Sequence, residues 1–388
     1  MQLQNFDLAL FLRDYWQKRP LLIRNAFQDW TNPLEPEELA GLACEEGVEA
    51  RLIIQSGGSW TLEQGPFPES RFTQSQPDPW TLLVQAVDQH VPPVAALLAP
   101  FRFIPNWRID DVMVSYATDG GGVGPHFDQY DVFLLQGAGQ RRWQVGALCD
   151  DTTPLAPHED LRLLADFQPT QEWLLEPGDM LYVPPRIAHN GVAVGEGCMT
   201  YSIGFRAPAR SDLITHWTDH LLDSLGEDDR YEDRFDQPGE QPPANPGEIT
   251  PAALARLHAM VTEKLLDAQA FARWFGAHSS TRKYPDTDWR PEDPITPEEL
   301  RDYLDQPLIR NPASRFAFIR EGNGALLLFV DGESFPCTGE TADLAEQLCA
   351  KDHLILAPAL AKSDAALTMI ATLLNHGSIA FDEEEEAE

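Results

Sequence analysis

Basic side chains are scarce in this chain. Lys and Arg total 28 against 62 Asp and Glu in 388 residues, a formal charge of −34. A surface of that sign repels phosphate backbones, which argues against direct nucleic-acid binding and favours a basic protein as partner. The charge also serves solubility alone, so it names no partner by itself. Cysteine is sparse too. Cys44, Cys149, Cys198, Cys337 and Cys349 are odd in number, scattered, and form no C-x-x-C pair. That excludes a disulfide framework and a Cys-rich zinc site, and points to a reducing, cytoplasmic setting. No apolar run reaches the roughly 18 residues that span a membrane. Asp7, Arg13 and Asp14 stand where a signal peptide needs apolar residues. The expectation is a soluble protein of two or three domains.

The informative stretch is 120–143. Gly120-Gly121-Gly122-Val123-Gly124-Pro125 leads into His126-Phe127-Asp128 at the start of a predicted strand. In a strand, residues i and i+2 share a face, so an imidazole and a carboxylate sit side by side. A second imidazole, His189, follows the turn Pro177-Gly178-Asp179, a strand and Pro184-Pro185. That path can return it to the same mouth. Two His and one carboxylate make the facial triad of non-haem Fe(II) oxygenases, which leaves positions for a keto acid and for O2. His-x-Asp alone is a weak signal. Arg141 strengthens it, because 2-oxoglutarate carries a second carboxylate that suits a guanidinium fork. Arg142 points the other way, and Trp143 shares the face of Arg141. Ser115, Thr200, Tyr201 and Ser202 lie on strands that can line the same pocket, and parity favours only some of them.

Along the chain, residues 6–17 have helical periodicity, with Leu8, Phe11, Leu12 and Tyr15 near one stripe. Residues 21–23, 51–55 and 59–63 read as strands, 36–46 as a short helix, and 80–98 as a helix broken at Pro92-Pro93. From 111 to 206 short strands alternate with Gly and Pro turns. Among them 130–136 and 141–145 form neighbouring strands about Gly137-Ala138-Gly139, and 191–194 and 198–206 close the set. This pattern predicts a sandwich or barrel, and a double-sheet jelly roll suits a metal at its mouth. Residues 208–225 and 250–275 read as helices around an acidic, Pro-rich linker at 227–248. They favour dimerisation over packing on their own barrel. Thr296-Pro297-Glu298-Glu299 carries helix-start chemistry, and two strands about Gly322-Asn323-Gly324 precede two further helices. A small α+β module, possible as a winged helix, ends in the acidic tail 382–386, expected to be disordered.

Several of these segments together resemble the bacterial ribosomal oxygenases. They are Trp16-Gln17-Lys18-Arg19-Pro20, Trp107-Arg108-Ile109-Asp110-Asp111, the His126 to Phe133 stretch, Arg141-Arg142-Trp143, and Tyr201-Ser202-Ile203-Gly204-Phe205-Arg206. The resemblance spans nearly the whole chain and weakens beyond residue 225. It implies an α+β protein with a double-stranded β-helix (jelly-roll, cupin-like) Jumonji-C barrel over 1–207. It further implies a helical dimerisation region over 208–285 and a winged-helix-like domain over 286–388. The implied metal ligands are His126, Asp128 and His189, and the implied 2-oxoglutarate cation is Arg141. Bacterial members hydroxylate an arginine at C3 in ribosomal protein sixteen of the large subunit, and animal relatives hydroxylate histidines. An arginine substrate calls for a carboxylate near the mouth. Asp110, Asp111 and Asp131 are candidates, with Tyr130 as a wall.

Two other readings compete. A cupin-type metalloenzyme acting on a small molecule would favour more His ligands and a Glu, which His-x-Asp with a basic residue thirteen positions on does not match. A non-catalytic scaffold on a dead barrel would lack part of the triad, and none is missing.

Overall fold

The computed structural model describes residues 3–73, 77–237, 241–356 and 360–382. In chain order the first elements are α1 (Leu8–Asp14), β1 (Leu21–Ile23), α2 (Pro36–Leu42), β2 (Ala50–Ser56), β3 (Ser59–Gln64) and α3 (Ser70–Thr73). Then come β4 (Trp80–Val84), α4 (Pro92–Ala95), β5 (Ile109–Ala117), β6 (Val132–Leu148), β7 (Gln171–Leu175), β8 (Met180–Val183) and β9 (Ile187–Phe205). Helices α5 (Arg210–Asp223), α6 (Pro251–Leu265) and α7 (Ala268–Ser280) follow. The last part holds β10 (Leu308–Arg310), β11 (Phe316–Arg320), β12 (Leu326–Val330), β13 (Glu333–Cys337), α8 (Glu340–Ala350), β14 (His353–Leu354), α9 (Asp364–Asn375) and β15 (Ile379–Phe381). The chain divides into two compact units. One draws on Met1–Ala207, Arg282–Arg315 and Asp352–Glu388, the other on Pro208–Thr281 and Phe316–Lys351.

The first unit is built on an antiparallel sheet in the order β1-β8-β6-β9-β5-β4-β2-β3, with β7 also paired to β6. Its spine is the long pair β6 and β9. Val132 to Gln136 pair with Gly204 to Thr200, and Gln140 to Val145 pair with Val194 to His189. Register shifts fall between these halves. Residues 137–139 are therefore a bulge inside one bent strand, not the expected turn between two strands. Gly139 makes the bend, with φ +60 and a Cβ position 2.7 Å from the Gly197 carbonyl oxygen. Likewise 191–194 and 198–206 are one strand. The bend lets one half of the pair join the large sheet while the other half meets β7, which is how a jelly roll closes on itself.

The faces of the spine differ in kind. Phe133, Leu135, Tyr182, Tyr201, Ile203 and Phe205 pack with Phe11, Leu39, Leu97 and Phe101 in one core. Alternate residues, Val132, Leu134, Leu181 and Val183, pack with Trp143, Val145 and Leu175 in a second cluster. Period-two alternation with both faces covered is what makes these strands read as continuous apolar runs. The same effect misled the reading of 80–98. Trp80–Val84 is strand β4, held between β2 and β5, and Pro92-Pro93 starts the short α4. Helix α1 is also shorter than expected. Asp7 caps it through the Leu10 amide at 2.9 Å, but Phe11 alone of its stripe is buried, with Leu8 and Leu12 each 40% exposed. The unit also contains the three-stranded sheet β14-β10-β15. The Thr296 to Glu299 capping pair forms as expected, yet it opens only a 3₁₀ turn, Glu299–Tyr303.

In the second unit Thr250 caps α6 through the Ala253 amide, with Pro251 at the first helical position. Asp267 caps α7 through the Gln269 and Ala270 amides. That second cap splits the single helix expected over 250–275. Strands β11, β12 and β13 form an antiparallel meander, of which β13 was not expected. Residues 383–388 of the acidic tail lie outside the described residues.

Candidate metal centre

His126 and His189 form an isolated antiparallel bridge. The His126 amide donates to the His189 carbonyl at 3.0 Å, and the His189 amide donates back at 2.8 Å. Two imidazoles opposed across such a bridge must lie on one face. Their ring centroids are 4.3 Å apart. The loop before His126 is pressed flat to allow this. A Cβ on Gly122 would meet the Gly191 carbonyl oxygen at 2.5 Å, and one on Gly124, at φ +81, would meet Leu163 at 2.7 Å and Trp60 at 3.1 Å. Residues 126–128 precede β6 instead of opening a strand as expected, and bulkier residues in place of these glycines would push the His126 segment off β9.

Asp128 completes the group. Its Oδ2 lies 3.9 Å from His126 Nε2 and 3.6 Å from His189 Nε2. Among the described residues these three offer ligand atoms all within 4.8 Å of one another. Each Nδ1 sits 2.9 Å from a backbone carbonyl oxygen, Gly124 for His126 and Ile187 for His189. An Nδ1–H donating there leaves the Nε2 lone pair free, which orients both rings for a metal. Burial, and then the neighbouring His126, hold the His189 imidazole well below its usual range against the pull of Asp128. The neutral ring is the form a metal needs.

Arg141 is 3% exposed on the same interior. Its Nε donates to Cys198 Sγ at 3.4 Å, its Cζ lies 5.7 Å from the Trp143 ring, and its buried Nη2 has no partner. A buried guanidinium with a free nitrogen is costly unless an anion completes it, so the donor set fits a carboxylate ligand here. Trp143 in turn lies 5.9 Å from the His189 ring, and Arg142 points outward. Ser115 and Thr200 pair across β5 and β9. Both are buried, and Thr200 Oγ1 donates to Gln136 Oε1 at 3.2 Å. Gln136 and Cys198 escaped notice in the sequence, although Cys198 shares the strand face of Thr200 two residues away. Trp60 gave no local signal at all, because it reaches Gly124 from a distant hairpin.

Comparison with known proteins bears on this geometry. A JmjC domain model matches residues 96–213, and a ROXA-like winged-helix model matches 263–380. The ribosomal protein uL16 3-hydroxylase of Escherichia coli (strain K12) is 41% identical over 296 residues, 76% of this chain and 77% of that protein. The chain belongs to the ribosomal oxygenases. A probable ribosomal oxygenase of Haemophilus influenzae is 36% identical over 330 residues, covering 83% of this chain and 78% of its own. The X-ray structure of E. coli YcfD superposes with a TM-score of 0.88 at 36% identity, covering 98% of this chain and 100% of that one. YcfD has also been solved in complex with cobalt and 2-oxoglutarate, and that structure superposes with a TM-score of 0.84 at 36% identity over 98% of this chain and 99% of its own. The jelly-roll barrel and the winged helix expected from the resemblance are thus the family's own architecture.

In this ribosomal oxygenase three acidic candidates have other tasks, which corrects the sequence reading. Asp131 is fully buried. It accepts from Tyr182 Oη at 2.6 Å and Gln17 Nε2 at 3.1 Å, and pairs with Arg108 at 3.3 Å. Burial raises its pKa, and these three partners offset only part of that. The segments around Trp16 and Arg108 meet here, with Trp16 stacked on Tyr182 at 5.6 Å. Asp111, 2% exposed, accepts from the Ala86 amide, Gln85 and Lys283. Asp110 is held by Lys283 at 3.0 Å and Arg315 at 2.9 Å. Burial opposes its ionisation, but Lys283 and then Arg315 outweigh it and hold the carboxyl below its usual range. None of the three presents a free carboxylate, since Asp110 and Asp111 share Lys283 and Asp131 is held by Tyr182, Gln17 and Arg108. Tyr130 differs. It is 43% exposed, and burial of its hydroxyl, with Asp128 close by, raises its pKa.

Proposed function

We propose that this protein is an Fe(II)- and 2-oxoglutarate-dependent hydroxylase that acts at C3 of an arginine in the large-subunit ribosomal protein uL16. The observation that carries the reading is the His126, Asp128 and His189 group, with both Nδ1 atoms committed to carbonyls and three ligand atoms converging. These residues would hold the metal. When bound, iron with 2-oxoglutarate and O2 supplies the oxidation, in which the keto acid becomes succinate and CO2 and one oxygen atom reaches the substrate carbon. The chain supplies the rest. Arg141 holds the far carboxylate of the keto acid through its free nitrogen. Ser115 and Thr200 furnish the hydroxyl-bearing wall. Val132, Leu134, Leu181 and Val183 keep water from the inner face. Tyr130 flanks the entrance beside Asp128 and offers a ring face to an incoming guanidinium.

Incubation with Fe(II), 2-oxoglutarate and uL16, followed by mass spectrometry, tests the reading. The expected result is the gain of one oxygen atom on a single arginine, abolished by His126→Ala or Asp128→Ala in protein that remains folded. A peptide series with Arg, Lys and His at the target position tests the residue. Preferential hydroxylation of His would move the protein to the histidine-directed relatives.

We further propose that the segment 208–285, between a barrel over 1–207 and a winged-helix-like domain over 286–388, builds a homodimer. Helix α6 has no buried residue, and it leaves Leu254 54% and Val261 60% exposed. An uncovered apolar helix face marks an interaction surface. Light scattering should give twice the chain mass, and Leu254→Glu with Val261→Glu should return it to one. The free cysteines fit a cytoplasmic enzyme.

A further inference from the structure

We propose that Cys198 is a positioning residue for co-substrate binding. Its sulfur fixes the Arg141 guanidinium so that a terminal nitrogen meets the far carboxylate of a bound 2-oxo dicarboxylate. This rests on the co-substrate reading above and names a residue that reading does not use. The sulfur accepts from two directions, Arg141 Nε at 3.4 Å and Gln136 Nε2 at 3.5 Å. Gln136 is anchored in turn, donating to the Ala138 carbonyl at 2.7 Å and accepting from Thr200 Oγ1 at 3.2 Å. The sulfur is therefore the joint between the guanidinium and a polar ladder running across the barrel interior.

The geometry explains why a sulfur stands there. Arg141 lies opposite Ala193 on β9, and Cys198 lies opposite Ala117 on β5. These three small residues, Ala117, Ala193 and Cys198, form their own buried cluster. Among these small side chains the Arg141 Nε contact to the thiol sulfur spans 3.4 Å, whereas an N–H to oxygen bond needs about 2.9 Å. A guanidinium turns about its last single bond. Holding Nε–H on the sulfur, with the Trp143 ring beside Cζ, sets its plane. The unpartnered Nη2 is then fixed for a carboxylate. Without the sulfur, Nε becomes a second buried donor lacking a partner, and the fork is free to turn away.

The cost of losing Cys198 should therefore fall on ligands with a distal carboxylate and spare those without one. The test uses the full-length protein loaded with Mn(II), titrated with 2-oxoglutarate and, by competition, with 2-oxobutyrate, which lacks that carboxylate. Tryptophan fluorescence reads the binding. Cys198→Ala should raise the 2-oxoglutarate Kd about tenfold, equal to about 1.4 kcal/mol. It should leave Mn(II) affinity and 2-oxobutyrate competition within about twofold, a selectivity that a loosened core would not give. Cys198→Ser, with a smaller acceptor, should fall between the two and carries the same comparison if the alanine variant does not fold. An unchanged 2-oxoglutarate Kd in these variants, or an equal loss for both keto acids, overturns the role of Cys198 alone. Native protein that binds Mn(II) but not 2-oxoglutarate overturns the co-substrate reading, and this inference with it.

Discussion

At the scale of single residues, the site depends on buried polar groups whose partners are set by packing. Arg141 is the clearest test. Arg141→Ala removes a charge-assisted fork from a buried pocket, a loss of roughly 3 to 5 kcal/mol. The 2-oxoglutarate requirement should rise by orders of magnitude while the KM for the protein substrate stays near native. Steady-state kinetics in both substrates check this, and an unchanged 2-oxoglutarate dependence would move the role elsewhere. Asp88 gives a pH test. It is 3% exposed, accepts from the Val112 amide at 2.8 Å, and is pushed up to about 7, by burial first. A folded pKa above the unfolded value means stability that is full below about pH 4 and lost as pH rises through about 7. Asp88→Asn keeps the acceptor oxygen and removes the titration. From about pH 5 to about pH 8 the native protein should lose up to about 3 kcal/mol relative to the variant. Chemical denaturation at the two pH values checks it, and parallel curves would refute it.

At the scale of elements, the bent pair β6 and β9 does most of the positioning. One strand carries Arg141 and Trp143 and the other carries His189 and Cys198, so their register decides whether the site exists. Gly191 lies under the Trp143 ring, where an added Cβ would sit 2.6 Å from ring carbons. Gly191→Ala should tilt that ring and disturb both Arg141 and His189. The expected outcome is a stability loss of about 1 to 3 kcal/mol from overpacking, together with weaker Mn(II) and 2-oxoglutarate binding. Normal binding with lowered stability would show that the ring's position does not matter to the site. Much of this was legible in the chain. Strand parity set Arg141 opposite in sense to Arg142, whereas His126 and Asp128 stand before β6 and meet through the His126–His189 bridge. The capping pair of Thr296 and Glu299 was readable because capping is local chemistry. What failed was segmentation. Residues 80–98 read as a helix because buried strands and buried helices are both continuous apolar runs. Residues 137–139 read as a turn because a Gly pair signals a bulge and a hairpin alike.

At the scale of the molecule, the net charge of −34 should steer a basic protein substrate and repel RNA. Association with uL16 should slow as ionic strength rises, because the attraction is screened over about 10 Å at 0.1 M salt. The expected result is a several-fold fall in kcat/KM between low and physiological salt with kcat nearly constant, and free uL16 a better substrate than the assembled ribosome. A flat salt profile would remove the steering argument.

The sequence by itself determined the candidate ligand types, the opposite senses of Arg141 and Arg142, the sign of the surface and the resemblance to a family, because each depends on residue identity and short spacing. The tertiary structure alone decided what the acidic residues do. Asp110, Asp111 and Asp131 stood near His126 in the chain and looked available to a guanidinium. Lys283, Arg315, Arg108, Tyr182 and Gln17 neutralise or occupy them from up to 205 positions away. It likewise decided that Cys198 meets Arg141, 57 positions earlier. A carboxylate's role follows from which cation desolvates beside it, and a strand's partners follow from where the sheet bends. Both are long-range outcomes of packing.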